Sequence, residues 1–214
     1  MKFLLQLNRS RKMSQTHLLK VSRLEGLTDG VFAIAMTILV LDLRLPRELI
    51  VNNLLTTIIH VVLMKLFVYI GSFIVLGTLW IAMNFQLGLL ERVNRPYLWA
   101  NVFYLMVICV VPFSASLVAT FPNDPTSITV FSINLICGSI GQYITAQSAY
   151  KHQLNKEIYN AAIRKAILLR IAVGPVFYVA ACFVAYLNTQ VAFILLVIPP
   201  ILYLFPGRID NYDT

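Results

Sequence analysis

The sequence predicts an all-α integral membrane protein with six transmembrane helices, and three observations carry that expectation. The composition is 59% hydrophobic and only 12% charged over 214 residues, against about 45–50% and about 25% in soluble domains. Six apolar stretches of spanning size are separated by charge or turn signals. Lys and Arg crowd into alternate connections rather than spreading evenly. A soluble chain with so few charges could not cover its own surface. The mean hydropathy of +0.78 describes a chain whose solvent is mostly hydrocarbon.

Crossing the hydrocarbon takes about 20 helical residues. The first stretch, 27–45, is ended by Arg44, Pro46 and Arg47. The second, 58–90, is long enough to tilt or to project beyond the bilayer. The third, 97–121, opens after Pro96, carries Pro112 and closes at the Pro122–Pro125 turn. The fourth is 128–150. The fifth, 167–187, contains Gly174-Pro175, an expected kink. After the polar turn Asn188-Thr189-Gln190 the sixth runs over 191–205, with Pro199-Pro200 expected to bend or break it. The expected organisation is a basic amino-terminal segment over 1–26, a six-helix domain over 27–206 and a short tail over 207–214. Met13 follows a basic tract, so residues 1–12 read as an extension or an alternative start. Their apolar run is too short for a signal-peptide core.

Fourteen Lys and Arg fall on one side of this topology: six before the first span, Arg92 and Arg95, five from Lys151 to Arg170, and Arg208. The other side has Arg44 and Arg47, and Lys65 is left inside the second span. Both termini are therefore expected in the cytoplasm, and the net charge of +8 is a topology signal rather than a nucleic-acid footprint. Cys109, Cys137 and Cys182 each sit in an apolar run and read as small buried hydrophobes. His17, His60 and His152 are never at metal-ligand spacing. Ala181 and Ala185 form a small-residue helix contact that identifies no partner.

The first span is the unusual one. Asp29 and Asp42 bracket the apolar run Val31–Leu41, eleven residues or about 16 Å of helix, well short of the roughly 30 Å core. Either the bilayer thins locally or protein and water shield the charged ends. With Arg23 and Glu25 in the same span, shielding is the preferred reading, which puts this helix near the middle of the assembly. Ile34, Ile38, Leu41 and Leu45 form one stripe at helical spacing, with Leu27 earlier on the same stripe and Thr37 flanking it. The opposite face, with Phe32, Met36, Leu39 and Leu43, is equally apolar, so periodicity alone leaves open which face packs and which lines a path. Two readings stand for Asp29, a proton-relay carboxylate or a helix amino-terminal cap shared with Thr28, and the cap is preferred. Arg23 lies on a different face and is expected to pair outside its own helix, with Trp80 and Asn84 of the second span as candidate partners.

The segment from Arg23 to Leu43, RLEGLTDGVFAIAMTILVLDL, resembles the first-helix signature of the transmembrane protein 175 potassium channels, which reads Arg, three residues, then Phe-Ser-Asp. The resemblance extends through Trp80, Asn94-Arg95 and Val111-Pro112-Phe113. Two departures stand out: Leu27-Thr28 replaces Phe-Ser, and Met83-Asn84 stands where a His follows the Trp by one turn. The resemblance implies a potassium-selective channel fold with no TVGYG filter and no re-entrant pore loop. The stretch Gly138-Ser-Ile-Gly-Gln-Tyr143 is not a TVGYG filter. It further implies a homotetramer in a cell membrane, the plasma or inner membrane, with four first helices around the axis and K+ as permeant ion, needing no cofactor or metal. On this reading Ile34, Ile38 and Leu41 form the constriction and Thr37 a hydroxyl layer. Arg23, Thr28, Asp29, Trp80 and Asn84 hold the pore helix, through a locking network altered by the two departures.

A ring of branched aliphatic side chains gates by dewetting, because an ion stripped of water in an apolar neck finds nothing in exchange. Potassium holds its water less firmly than sodium, so such a neck discriminates modestly. Two other classes compete. A secondary transporter or proton-permeable carrier would want inverted repeats with broken helices, and no repeat is present. An intramembrane enzyme would want HExxH, paired midplane aspartates or GxSxG, and none occurs.

Overall fold

The computed structural model describes residues 20–44 and 62–204. Within them six helices follow one another: α1 Val21–Ile38, prolonged by a 3-10 turn Leu39–Asp42, α2 Leu63–Gly88, α3 Arg95–Thr120, α4 Pro125–Lys151, α5 Ala161–Val184 and α6 Thr189–Leu204. Five of them are 21–27 residues long over their apolar spans and can cross a membrane, and α6 is the shorter sixth. The expectations placed on residues 1–19, on 45–61 (His60 and Arg47 among them) and on the tail beyond Leu204 lie outside the described residues.

Two helices start well before their apolar runs. α1 opens at Val21 rather than 27, and α5 at Ala161 rather than 167. The hydrophobic pattern marks where hydrocarbon begins, whereas the backbone ladder needs only residues that tolerate helix, so polar first turns extend beyond the core. As a result Asp29 sits more than two turns inside α1. Lys20 occupies the cap position and makes no side-chain cap bond, which removes the capping reading of Thr28 and Asp29. α2 is described from Leu63, and near that end the Lys65 Nζ donates to the Arg44 carbonyl at 3.2 Å.

The later helices are capped by side chains where extended residues precede them. Asn94 accepts from the Tyr97 N–H at 3.0 Å, Asp124 from Thr126 at 2.8 Å, and Asn160 from Ile163 at 2.9 Å. Hydrogen bonds from the Thr126 backbone N–H and from the Thr126 side chain hold the Asp124 carboxyl below its ordinary range. Proline follows the cap by one or two residues in α3 and α4, where the missing N–H does no harm. Pro112, Pro175 and the Pro199-Pro200 pair all lie within continuous helices, so the expected break in α6 does not occur. Helical neighbours and the strong bias for internal hydrogen bonding in hydrocarbon hold such helices together.

α3 and α4 pack along their length, α5 packs on α4, and α6 lies on α5 with contacts to α2 and α4. Buried Tyr97, Tyr104, Ile108, Ile128 and Leu135 fill the seams. At one point the α3 and α4 backbones come close: a Cβ on Gly141 would meet Tyr104 Cδ2 at 3.0 Å and Tyr104 Cα at 3.3 Å. Polar glue joins the same pair, the Asn134 amide donating to the Ser114 hydroxyl at 3.0 Å. Cys109 and Cys137 are exposed rather than buried, because the outer surface of a membrane bundle is as apolar as its core and accepts a thiol equally well. At the end of the bundle that carries most basic residues, the α2–α3 and α4–α5 connections are tied together. Glu91 N–H donates to the Leu154 carbonyl and Lys156 N–H to that of Leu89, both at 2.9 Å.

Candidate functional site

α1 packs against α2 and α3 only along one side. The residues it buries are Leu24, Thr28, Phe32 and Ala35, with Leu39 continuing the stripe at spacings of four, four, three and four. Phe32 faces the Tyr104 ring at 6.2 Å between centroids. The other stripe is left uncovered: Leu27, Ile34, Ile38 and Leu41 are 49%, 60%, 44% and 52% exposed in the single chain. The ambiguity between two equally apolar faces is thereby resolved for packing within one chain. α1 is peripheral in that chain, so the shielding expected from its charged ends is not supplied by the chain itself.

Two hydrogen bonds hold the helix at this angle. The Trp80 indole Nε1 of α2 donates to Asp29 Oδ1 at 2.9 Å, and the Asn101 amide of α3 donates to the Thr28 hydroxyl at 3.3 Å. Adjacent residues of α1 thus face two different neighbours. Arg23 is exposed and makes no ion pair among the described residues. The partners expected for Arg23 lie elsewhere: Trp80 bonds to Asp29, and Asn84 lines a cavity of about 420 Å³ between α2, α4, α5 and α6, together with Gln86, Gln142 and Arg170. Of the five expected supporting residues, the fold brings together Thr28, Asp29 and Trp80, and adds Asn101. That amide is a lone polar group early in a 26-residue apolar helix, a signal for a buried interhelical bond.

Trp80→Phe keeps the ring and removes the donor. The expected result is a loss of about 1.5–3 kcal/mol, the range for a hydrogen bond to a charged group, read as a lower melting temperature in detergent, with Asp29→Asn losing less because its amide oxygen still accepts. If Asp29→Asn leaves stability intact and changes ion preference instead, the carboxylate belongs to the conduction path.

Thr37 is exposed beside the uncovered stripe, and its hydroxyl donates to the Ile34 carbonyl at 2.9 Å. With the proton committed to its own helix, the oxygen turns lone pairs outward and can accept or meet a cation. No other polar side chain stands between Ile34 and Leu41. Among the described residues, no group of three His, Cys, Asp or Glu could hold a metal.

A multi-pass helical bundle with a half-bare, apolar first helix is an architecture open to several classes of membrane protein, and comparison with known proteins narrows it. The model of the family described as endosomal/lysosomal potassium channel TMEM175 matches residues 23–112, from the arginine of α1 to the proline of α3. A protein of Chryseobacterium sp. named a potassium channel is 25% identical over 87% of this chain and 93% of its own length. One of Streptomyces collinus with the same kind of name is 26% identical over 73% and 78%. The chicken endosomal/lysosomal proton channel TMEM175 is 27% identical over 76% of this chain, which spans about a third of that longer protein. The fold matches the crystal structure of a lysosomal potassium-selective channel TMEM175 homolog from Chamaesiphon minutus with a TM-score of 0.73 at 21% identity, covering 86% of this chain and 96% of that one. By these matches the chain resembles the bacterial potassium channels of the TMEM175 family, which is an ion-channel family rather than a family of enzymes.

Proposed function

We propose that four copies of this chain form a potassium-permeable channel in the cell membrane, with α1 of each copy facing a common axis. The observation that carries the reading is the uncovered stripe of α1: it sits on the family's most specific segment, and a single helix encloses no path. Four stripes facing one another would form a neck of Ile34, Ile38 and Leu41 rings. The Thr37 oxygens would supply the few lone pairs near it, and Trp80 and Asn101 would hold each helix at its angle. An apolar neck closes to ions by drying and opens when widening wets it. Conduction of this kind is passive, needs no cofactor and discriminates between K+ and Na+ by the cost of partial dehydration. The charge count supports a cytoplasmic position for both termini and the Lys156 loop.

A second reading, proton permeation, is favoured by the vertebrate relatives, which are named proton channels. A third, a carrier, draws support only from the helix-breaking residues. The purified protein in liposomes under a K+ gradient separates them. Flux of K+ that continues at rates above those of any carrier cycle, with a pH dye inside remaining steady once the potential is clamped, is the expected result. Acidification without K+ movement contradicts the reading. Mass in detergent should correspond to four chains, and a conducting monomer would end the axial arrangement. Lys156→Cys should label only after the membrane is permeabilised.

A further inference from the structure

A cleft of about 500 Å³, lined by other residues of α5 than the cavity that holds Asn84, opens between the end of α4 and the start of α5. Tyr150, Tyr159, Arg164 and Lys165 line its upper part and Leu168 and Leu169 its lower part. Its two cations are differently placed. Arg164 is half-buried, its guanidinium 3.6 Å from the centroid of the Tyr150 ring and donating to Gln147 Oε1 at 3.3 Å, so its charge is held in a fixed position. Lys165 is exposed beside it. Neither makes an ion pair among the described residues, and Glu157, the carboxylate nearest along the chain, pairs with neither. The α5 amino-terminus, capped by Asn160, adds the positive end of a helix dipole at the same level.

The vertical order within the cleft identifies what fits it. Leu168 and Leu169 stand one turn below Arg164 and Lys165 on the same faces, about 6 Å further along the helix, and Leu169 is 58% exposed. α5 enters the bilayer at this end, so the cations lie at headgroup level and the leucines where acyl chains begin. Two unneutralised positive charges over an apolar floor match a molecule with a phosphate at one end and hydrocarbon at the other. A free phosphate would use the cations and leave the floor bare.

We propose that this cleft binds an anionic phospholipid, with the headgroup phosphate between Arg164 and Lys165 and an acyl chain along Leu168 and Leu169. A phosphate oxygen accepts from the Lys165 ammonium and from guanidinium N–H groups not directed at Gln147, and the Tyr150 and Tyr159 rings flank the headgroup. The cleft adjoins the tied α2–α3 and α4–α5 connections, so a lipid seated there adds to the bracing of that end of the bundle.

The test is native mass spectrometry of the full-length protein in detergent with added dioleoyl phosphatidylglycerol or dioleoyl phosphatidylcholine. The expected result is retention of phosphatidylglycerol in preference to phosphatidylcholine. A cation near the headgroup contributes about 1 kcal/mol, so Lys165→Gln should weaken phosphatidylglycerol binding about fivefold and the double variant with Arg164→Gln roughly thirtyfold. Phosphatidylcholine binding should not change. Lys165 is exposed, so its single substitution tests the site even if loss of the Arg164 stacking impairs folding. Equal retention of the two lipids, or phosphatidylglycerol binding unchanged in Lys165→Gln, overturns the proposal. Displacement by inorganic phosphate at the lipid's own concentration overturns it in favour of a free-anion site.

Discussion

Ile38→Asn is expected to raise K+ flux through reconstituted channels about tenfold or more and to raise Na+ flux further, so that the preference for K+ falls. The change is repeated in every subunit of the proposed assembly, placing a ring of amides in a neck whose other polar side-chain atoms are the Thr37 hydroxyls. A hydrogen bond or dipole contact to a charged partner contributes about 1.5–3 kcal/mol, and about 1.4 kcal/mol off a barrier is tenfold in rate. Sodium gains more because its tighter hydration shell is what the dry neck penalises. Leu39→Asn is the paired control. Leu39 is buried on the packed side of α1, where an unpartnered amide costs about 1–3 kcal/mol. It should lower the yield of folded protein without raising flux per channel. Flux through both variants is read from liposomes with K+- and Na+-sensitive dyes.

Gly141→Leu is expected to eliminate the folded protein, whereas Gly138→Ala on the same helix should be tolerated. A side chain at position 141 would enter space held by the Tyr104 ring and, within 3.3 Å, by the Tyr104 backbone. Neither can yield without moving α3 off α4. Gly138 has no atom within 4 Å of an added Cβ. Gly141→Ala, the smallest intrusion, should cost about 1–3 kcal/mol, the usual range for overpacking. The consequence reaches function because Tyr104 also carries the ring of Phe32, so a displaced α3 tilts α1 and its outer stripe. Size-exclusion profiles and melting temperatures of the three variants check the order. A well-folded Gly141→Leu would mean that α3 and α4 are further apart than described.

Much of this architecture is legible from hydrophobic lengths and turn chemistry. Asn94 and Asp124 with their prolines announce the starts of α3 and α4, and the apolar lengths announce how many spans there are. The stripe of Leu27, Ile34, Ile38 and Leu41 is equally legible as a stripe, but its exposure is not, since a periodic pattern cannot distinguish packing from a lining when both faces of a helix are apolar. Helix starts at Val21 and Ala161 escape the reading because backbone helicity runs past the hydrocarbon boundary. Asp29 is misread as a cap for the same reason: the true first turn lies eight residues earlier, and the residue's partner, Trp80, is brought in by α2 from 51 positions away. Thr28 and Asn101 pair across 73 positions. Long-range bonds of this kind leave no local pattern beyond an isolated polar residue in an apolar run. The exposed Cys109 and Cys137 go wrong through a rule imported from water, where apolar means inside.

The central claim is that the uncovered face of α1 lines the conduction path, and thiol accessibility during conduction tests it most directly. In a background with Cys109, Cys137 and Cys182 replaced by serine or alanine, Ile38→Cys is compared with Val176→Cys, whose parent residue is 69% exposed on α5. A small, water-soluble, positively charged thiol reagent added to conducting liposomes is predicted to arrest K+ flux through Ile38→Cys and to leave Val176→Cys unaffected. Arrest at Val176→Cys with Ile38→Cys untouched would contradict the account and move the path to another helix.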